Sequence, residues 1–177
     1  MSAIPPVNGA SYIRWGHIDC PNPQSKLINS GRMGGSYYSA GGAYNPQCFP
    51  DNPKYLITRA PALVKFSGGE YEIQGRVLRY LHQENIPCAV CQAYEGCMSL
   101  LMTPAQVKCP NSWTTEYVGY LLAGRKTNRR SEFICVDKVP WPISVTYAII
   151  SQVILFSKLV ILLSHASGYY QYNSCYD

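Results

Sequence analysis

Charge is what this sequence has least of. Asp, Glu, Lys and Arg make up 14% of its 177 residues, well under the ~25% typical of soluble chains. Disordered chains are charge-rich and aromatic-poor, so low charge with 12% aromatic residues excludes global disorder. Histidine is scarce, three in all, and His17, His82 and Glu84 form no recognisable triad. Gly-x-Ser-x-Gly, His-Glu-x-x-His, a phosphate loop and a dinucleotide fingerprint are all missing. No catalytic residue, cofactor or metal is therefore expected, and the chain reads as a non-enzyme. No Asn-x-Ser/Thr sequon is present, so N-glycosylation is not expected. The 14 glycines follow no Gly-X-Y period, which excludes a collagen triple helix within the chain. The opening Met1-Ser-Ala-Ile-Pro-Pro-Val-Asn-Gly-Ala10 has neither a basic n-region nor an apolar run, so it is not a signal peptide.

What is there fits one mainly β domain. The length suits a single domain, and 15 tyrosines with 14 glycines and 13 prolines favour strands and turns. Ser11–Trp15 is rich in strand formers and is punctuated by Gly16 and the Asp19–Pro23 stretch. Glu116–Leu122 and Glu132–Val136 read as a hairpin, and Ala89–Tyr94 with Met98–Met102 as a second pair. A helix is expected over Tyr71–Gln83, where Ile73, Val77, Leu78 and Leu81 share a face, although Gly75 weakens it. Trp15 and Trp113 read as core anchors, and Arg14 should face away from Trp15 across a strand.

The formal charge of +5 is concentrated at Arg125, Lys126, Arg129 and Arg130. That cluster is a candidate polyanion site for phosphate chains or sulfated glycans. Its simpler reading, and the favoured one, is a solvated hairpin tip between two strands. No nucleic-acid partner is expected.

The C-terminal tail, residues 139–177, differs in composition from what precedes it. From Ile143 to Leu163 it is predominantly apolar and Lys158 is the sole charge. A run of about 20 apolar residues can span a bilayer, so 143–163 is a candidate transmembrane segment. The competing reading is a tail foreign to the domain, as after a splice junction or read-through.

Internal similarity organises the middle. Cys20-Pro21-Asn22 recurs as Cys109-Pro110-Asn111, Gly31 as Gly119, and Cys48 as Cys135, in the same order and at near-equal spacing. Two related half-repeats follow, about 10–87 and 88–138, after a disordered lead at 1–9. Eight cysteines are too many for an ordinary cytosolic domain. Cys88-x-x-Cys91 admits zinc, a redox dithiol or two structural disulfides. A second pair for zinc is missing, and a helix opening at the motif, as redox chemistry needs, is not indicated. Structural bridges are favoured, because residues three apart in a strand point to opposite faces and can reach different partners.

Ile86-Pro-Cys-Ala-Val-Cys91, Lys108-Cys-Pro-Asn-Ser-Trp113 and Glu116-Tyr-Val-Gly-Tyr120 together resemble the secreted domain of sponge and cnidarian short-chain collagen-like proteins. The Tyr12–Pro21 segment and Gly31-Arg-Met-Gly-Gly35 fit the same family. A more distant resemblance is to the C-terminal non-collagenous domain of type IV collagen, a tandem of β-rich half-repeats. The resemblance covers about Ala10 to Lys138. It implies the disulfides Cys20–Cys91 and Cys48–Cys88. It also implies a second Cys-x-x-Cys after Lys138, which this chain does not have. Cys109 and Cys135 are thus expected to lack their bridges, and Cys97 and Cys175 have no assigned partner.

The resulting expectation is a secreted, disulfide-stapled structural or oligomerisation domain of extracellular matrix, associating with collagen-like chains or with itself. With no signal sequence at its start, the chain is expected to be partial. The alternatives are a cell-surface glycan or polyanion binding module and a cytosolic thiol protein.

Overall fold

The computed structural model describes residues 9–36, 45–54, 66–73, 76, 78–94, 97–106, 109–124, 128–143, 159–162 and 169–174. They form ten strands: β1 Ser11–Trp15, β2 Lys26–Ser36, β3 Gln47–Pro50, β4 Phe66–Glu72, β5 Pro87–Gln92, β6 Leu100–Thr103, β7 Thr114–Gly124, β8 Ile134–Asp137, β9 Leu159–Leu162 and β10 Tyr169–Ser174. A short 3-10 turn, Arg79–Leu81, follows β4. The fold is β-rich and mixed. The strand path runs β6-β10-β7-β8-β1-β5-β2-β4-β9, β3 pairs with β2, and β9 also pairs with β7. Two contacts are parallel, β1 with β8 and β4 with β9.

The registers show two copies of one five-strand unit, β1–β5 and β6–β10. In the first, β2 and β3 align Gly31 with Pro50 and Met33 with Cys48; in the second, β7 and β8 align Gly119 with Asp137 and Leu121 with Cys135. On the opposite side of β2, Gly31 faces Cys88, the ladder skips Ile28, and Leu27 faces Cys91. On β7, Gly119 faces Tyr170, the ladder skips Glu116, and Thr115 faces Asn173. Register and bulge recur at the same offsets from the two glycines. The outer pairs also correspond: Tyr12 with Cys91 matches Leu101 with Asn173, and Gly35 with Ser67 matches Ala123 with Leu162. Both glycines are required by close approach. A Cβ at Gly31 would strike the Phe49 carbonyl oxygen, and one at Gly119 the Val136 carbonyl oxygen.

This arrangement revises the sequence-based reading of the tail. Leu159–Leu162 is a strand bonded to β4 and β7, so the apolar run 143–163 is not one continuous helix. Among the described residues no helix is long and apolar enough to cross a membrane. Residues 144–158 lie outside the described residues. The tail supplies the fourth and fifth strands of the second unit, which is a different role from an appended extension. The boundary between units falls after Gln92, because β5 lies between β1 and β2 and belongs with them.

Two other expectations change. Among the described residues of the range Tyr71–Gln83 there is the end of β4 and a 3-10 turn in place of the expected helix. Tyr71 and Ile73 alternate into the core from β4 and its end, Tyr71 N–H donates to Glu84 O, and Gln83 N–H donates to Tyr71 O. The second of these bonds takes the Tyr71 carbonyl and the Gln83 N–H that a helix over this range would use, and Leu78 sits at φ 58°, in the left-handed region. Ala89–Tyr94 does not pair with Met98–Met102 either. β5 is taken on both edges by β1 and β2, and β6 pairs with β10. The hairpin of β7 and β8 is present.

The two faces of the sheet carry separate clusters. Trp15, Met33, Tyr71, Ile73, Leu81, Ile86, Cys88, Leu122, Ile134 and Val136 form one. Tyr12, Ala89, Cys91, Ala93, Cys97, Tyr117 and Cys135 form the other. Strand alternation divides β1 and β5 between them, sending Trp15 and Cys88 to one face and Tyr12 and Cys91 to the other.

Candidate functional site

The sulfurs of β5 are the centre of the covalent framework. Cys91 bonds Cys20 with a Cα–Cα separation of 5.8 Å, and Cys88 bonds Cys48 at 5.7 Å. These are the pairs the family resemblance implies. Cys88 and Cys91 are fully buried and each is consumed by a different partner, so they do not act together as a dithiol or a metal pair. The bonds close loops with sequence separations of 71 and 40 residues. They are compatible with an extracellular location, since disulfides persist in oxidising compartments.

The other cysteines behave differently. Cys97 is buried and disulfide-bonded, and Cys175 lies outside the described residues. Cys109 and Cys135 are thiols. Cys109 Sγ lies 2.6 Å from Thr115 Oγ1. Burial, and after it the Asp137 charge, pushes the Cys135 thiol up to about 12. The registers explain the contrast between units. Tyr170 and Asn173 occupy the places on β10 that Cys88 and Cys91 occupy on β5.

Of the basic turn, Arg125 and Lys126 lie outside the described residues. Arg129 and Arg130 are exposed. Gly124 N–H donates to Ser131 Oγ at 2.7 Å, closing the base of the connection between β7 and β8. Trp15 is a core residue as expected, whereas Trp113 is half-buried.

Sequence reasoning missed the polar joint between the units. Beside the parallel contact of Trp15 with Val136, Arg14 Nε and Nη2 donate to Asp137 Oδ2 at 2.9 and 2.7 Å. Arg14 Nη1 donates to Asp19 Oδ1 at 2.8 Å and to Asp19 O at 3.1 Å. Val139 N–H donates to Asp137 Oδ1 at 3.0 Å. His17 Nδ1 lies 3.1 Å from Asp19 Oδ1 and Nε2 lies 2.8 Å from Val139 O. The His17 ring also packs on Trp141, with centroids 4.4 Å apart. Both ring nitrogens are therefore occupied by oxygens of the chain. A general base needs one nitrogen turned toward a reacting proton; this histidine holds the segment after β8 against the end of β1. The clustering of Arg14, His17 and Asp19 within six residues was the available signal, but Asp137, the other partner of Arg14, is distant in sequence.

A second buried polar group lies on the same face of β1 as Arg14. Tyr12 OH donates to Glu116 Oε2 at 2.7 Å, and Ser25 Oγ donates to the same oxygen at 3.3 Å. Burial raises the Tyr12 hydroxyl. Tyr117 OH lies 3.1 Å from Ile13 O and 2.8 Å from Cys135 O, tying β7 to β1 and β8. Among the described residues no group of three His, Cys, Asp or Glu side chains is placed to hold a metal ion. No family model matches the chain, and no solved structure matches it.

Proposed function

We propose that the chain is a non-enzymatic structural and oligomerisation module of extracellular matrix that associates with collagen-like chains. The observation that carries this reading is the pair of disulfides on β5, each closing a long loop through a fully buried sulfur. Such staples belong to proteins that work in an oxidising exterior. Self-association has a template within the chain. β1 of the first unit pairs with β8 of the second, and the strands equivalent to them are β6 and β3. β6 ends the strand path and β3 branches from it. Pairing of β6 from one copy with β3 from another repeats the internal joint between molecules, a head-to-tail contact.

The test is sedimentation velocity of the oxidised protein over a range of concentrations, with retention on an immobilised Gly-Pro-hydroxyproline triple-helical peptide. Concentration-dependent oligomers and retention, both lost in reductant, are the expected result. A monomer at every concentration that passes the peptide unretained overturns the reading. A second reading, polyanion capture at the β7–β8 turn, is favoured by the exposure of Arg129 and Arg130. Loss of heparin retention on charge reversal at those two residues is its test, and retention that survives the reversal eliminates it.

A further inference from the structure

Scattered exposed apolar side chains need no explanation, but four of them gather at one corner of this molecule. Ile18, Tyr80, Val139 and Trp141 are all exposed, Tyr80 to 62% and Trp141 to 45%. The Tyr80 hydroxyl donates to Pro140 O at 3.2 Å, which brings the 3-10 turn against the segment after β8. Trp141 N–H donates to Gly16 O at 2.8 Å, and its ring packs on His17. Both aromatic rings are thus held in place while much of their surface faces solvent. With its hydrogen donated to Pro140 O, the Tyr80 hydroxyl can still accept from a partner, and its ring is exposed beside it.

The cations near these rings have no acidic partner among the described residues, whereas the local carboxylates of Asp19 and Asp137 are engaged by Arg14 and His17. Arg79 precedes Tyr80 and Lys138 precedes Val139; both are exposed. Neither makes an ion pair with a described residue. The nearby carboxylate of Asp19 faces Arg14 and His17. Arg79 and Lys138, the chain neighbours of Tyr80 and Val139, thus bring two exposed cations to the corner that holds the two fixed aromatic surfaces. An anion satisfies the cations. Flat apolar faces suit the rings, whose contact area is large at low cost in side-chain entropy. A sulfated sugar chain supplies both, with anionic groups on its rim and C–H faces on its rings. We propose that this corner, built from Arg79, Tyr80, Lys138 and Trp141, is a binding site for a sulfated glycan, separate from the turn at Arg125–Arg130.

The test uses the full oxidised chain, with a heparin-derived hexasaccharide, an unsulfated hyaluronan hexasaccharide and a polyglutamate peptide as probes. Binding is read by calorimetry at graded salt and by tryptophan emission, with Trp141→Phe identifying the responding ring. The heparin fragment should bind with an affinity that falls as salt rises. Arg79→Ala with Lys138→Ala should weaken it by about tenfold or more, as should Tyr80→Ala, through loss of charge and stacking area. Arg129→Ala with Arg130→Ala removes the cations of the β7–β8 turn, and the loss caused by Tyr80→Ala should persist in that background. Arg79 and Lys138 are exposed, so their variants keep the fold, which peptide mapping of the two disulfides verifies. Three results overturn the proposal: no heparin binding, binding lost only in the Arg129 and Arg130 variant, or polyglutamate binding as tightly as the sulfated fragment. None of these bears on self-association, which sedimentation measures independently.

Discussion

Arg14 and Asp137 come from different units of the chain and meet through two hydrogen bonds of 2.9 and 2.7 Å onto one carboxylate oxygen. Both side chains are nearly enclosed, at 11% and 7% exposure. Removing one partner from such a pair strands the other charge, a loss of about 3–5 kcal/mol. Asp137→Ala should therefore lower the urea midpoint strongly. The more exposed pair of Arg32 with Asp51, at 3.1 Å, provides the control. Arg32→Ala should cost less than about 1 kcal/mol. Equal losses from the two variants would contradict the assignment of Arg14 and Asp137 as the joint.

The disulfides should contribute through the unfolded chain. In the chain-entropy model, separations of 71 and 40 residues correspond to about 4 kcal/mol for each bond. Cys20→Ser with Cys91→Ser, and separately Cys48→Ser with Cys88→Ser, should each lower stability by about that amount. Cys88 and Cys91 are fully buried whereas Cys20 and Cys48 are half-buried, so a reducing thiolate should attack the native bonds at Cys20 and Cys48. A mixed disulfide of the reductant with Cys88 or Cys91 in the native protein would contradict the burial.

Cys135 should be inert and should weaken the protein in alkali. Its thiol is raised from an ordinary 9.0 to about 12. Below pH 9 the folded and unfolded chains both keep the proton. Between about 9 and 12 the unfolded chain releases it and the folded chain does not, so stability falls as pH rises through that window. Burial raises the hydroxyls of Tyr12 and Tyr71 as well, and they act with the same sign above their ordinary 10.0. Iodoacetamide at pH 8 should label the partly exposed Cys109 before unfolding and Cys135 only after it.

Tyr71 OH is buried and has no hydrogen-bond partner among the described residues. Removing an unsatisfied buried hydroxyl spares its desolvation cost. Tyr71→Phe should leave thermal stability unchanged or raise it. A clear loss of stability would show that the hydroxyl is satisfied.

The registers predict that the second unit can be stapled like the first. Tyr170→Cys places a thiol at the position of Cys88, and Asn173→Cys places one at the position of Cys91. Oxidative refolding of the double variant should bond them to Cys135 and Cys109, respectively, and raise the melting temperature. Peptide mapping that finds other pairings would contradict the equivalence of β5 and β10.

Strand-forming runs and turn residues made β1, β7 and β8 readable from the sequence, and the Cys-Pro-Asn landmarks exposed the repeat. The second unit's last strands were not readable. β9 sits inside an apolar run whose composition suits a membrane as well as a sheet, and β10 has no cysteine to mark it. The mistaken helix over Tyr71–Gln83 came from a face shared by Ile73, Val77, Leu78 and Leu81. Its described members do reach the core region, Ile73 and Leu81 within the buried cluster and Leu78 packed against it, but through a strand end and a 3-10 turn. Arg14 and Asp137 lie 123 residues apart. No local pattern announces that contact, and only the pairing of β1 with β8 brings it about.

The most direct test of the stapled two-unit account is non-reducing peptide mapping of the full chain made in an oxidising compartment. The account predicts Cys20 bonded to Cys91 and Cys48 bonded to Cys88, with Cys135 reactive only after unfolding. Cys88 bonded to Cys91, or both recovered as thiols, would contradict it.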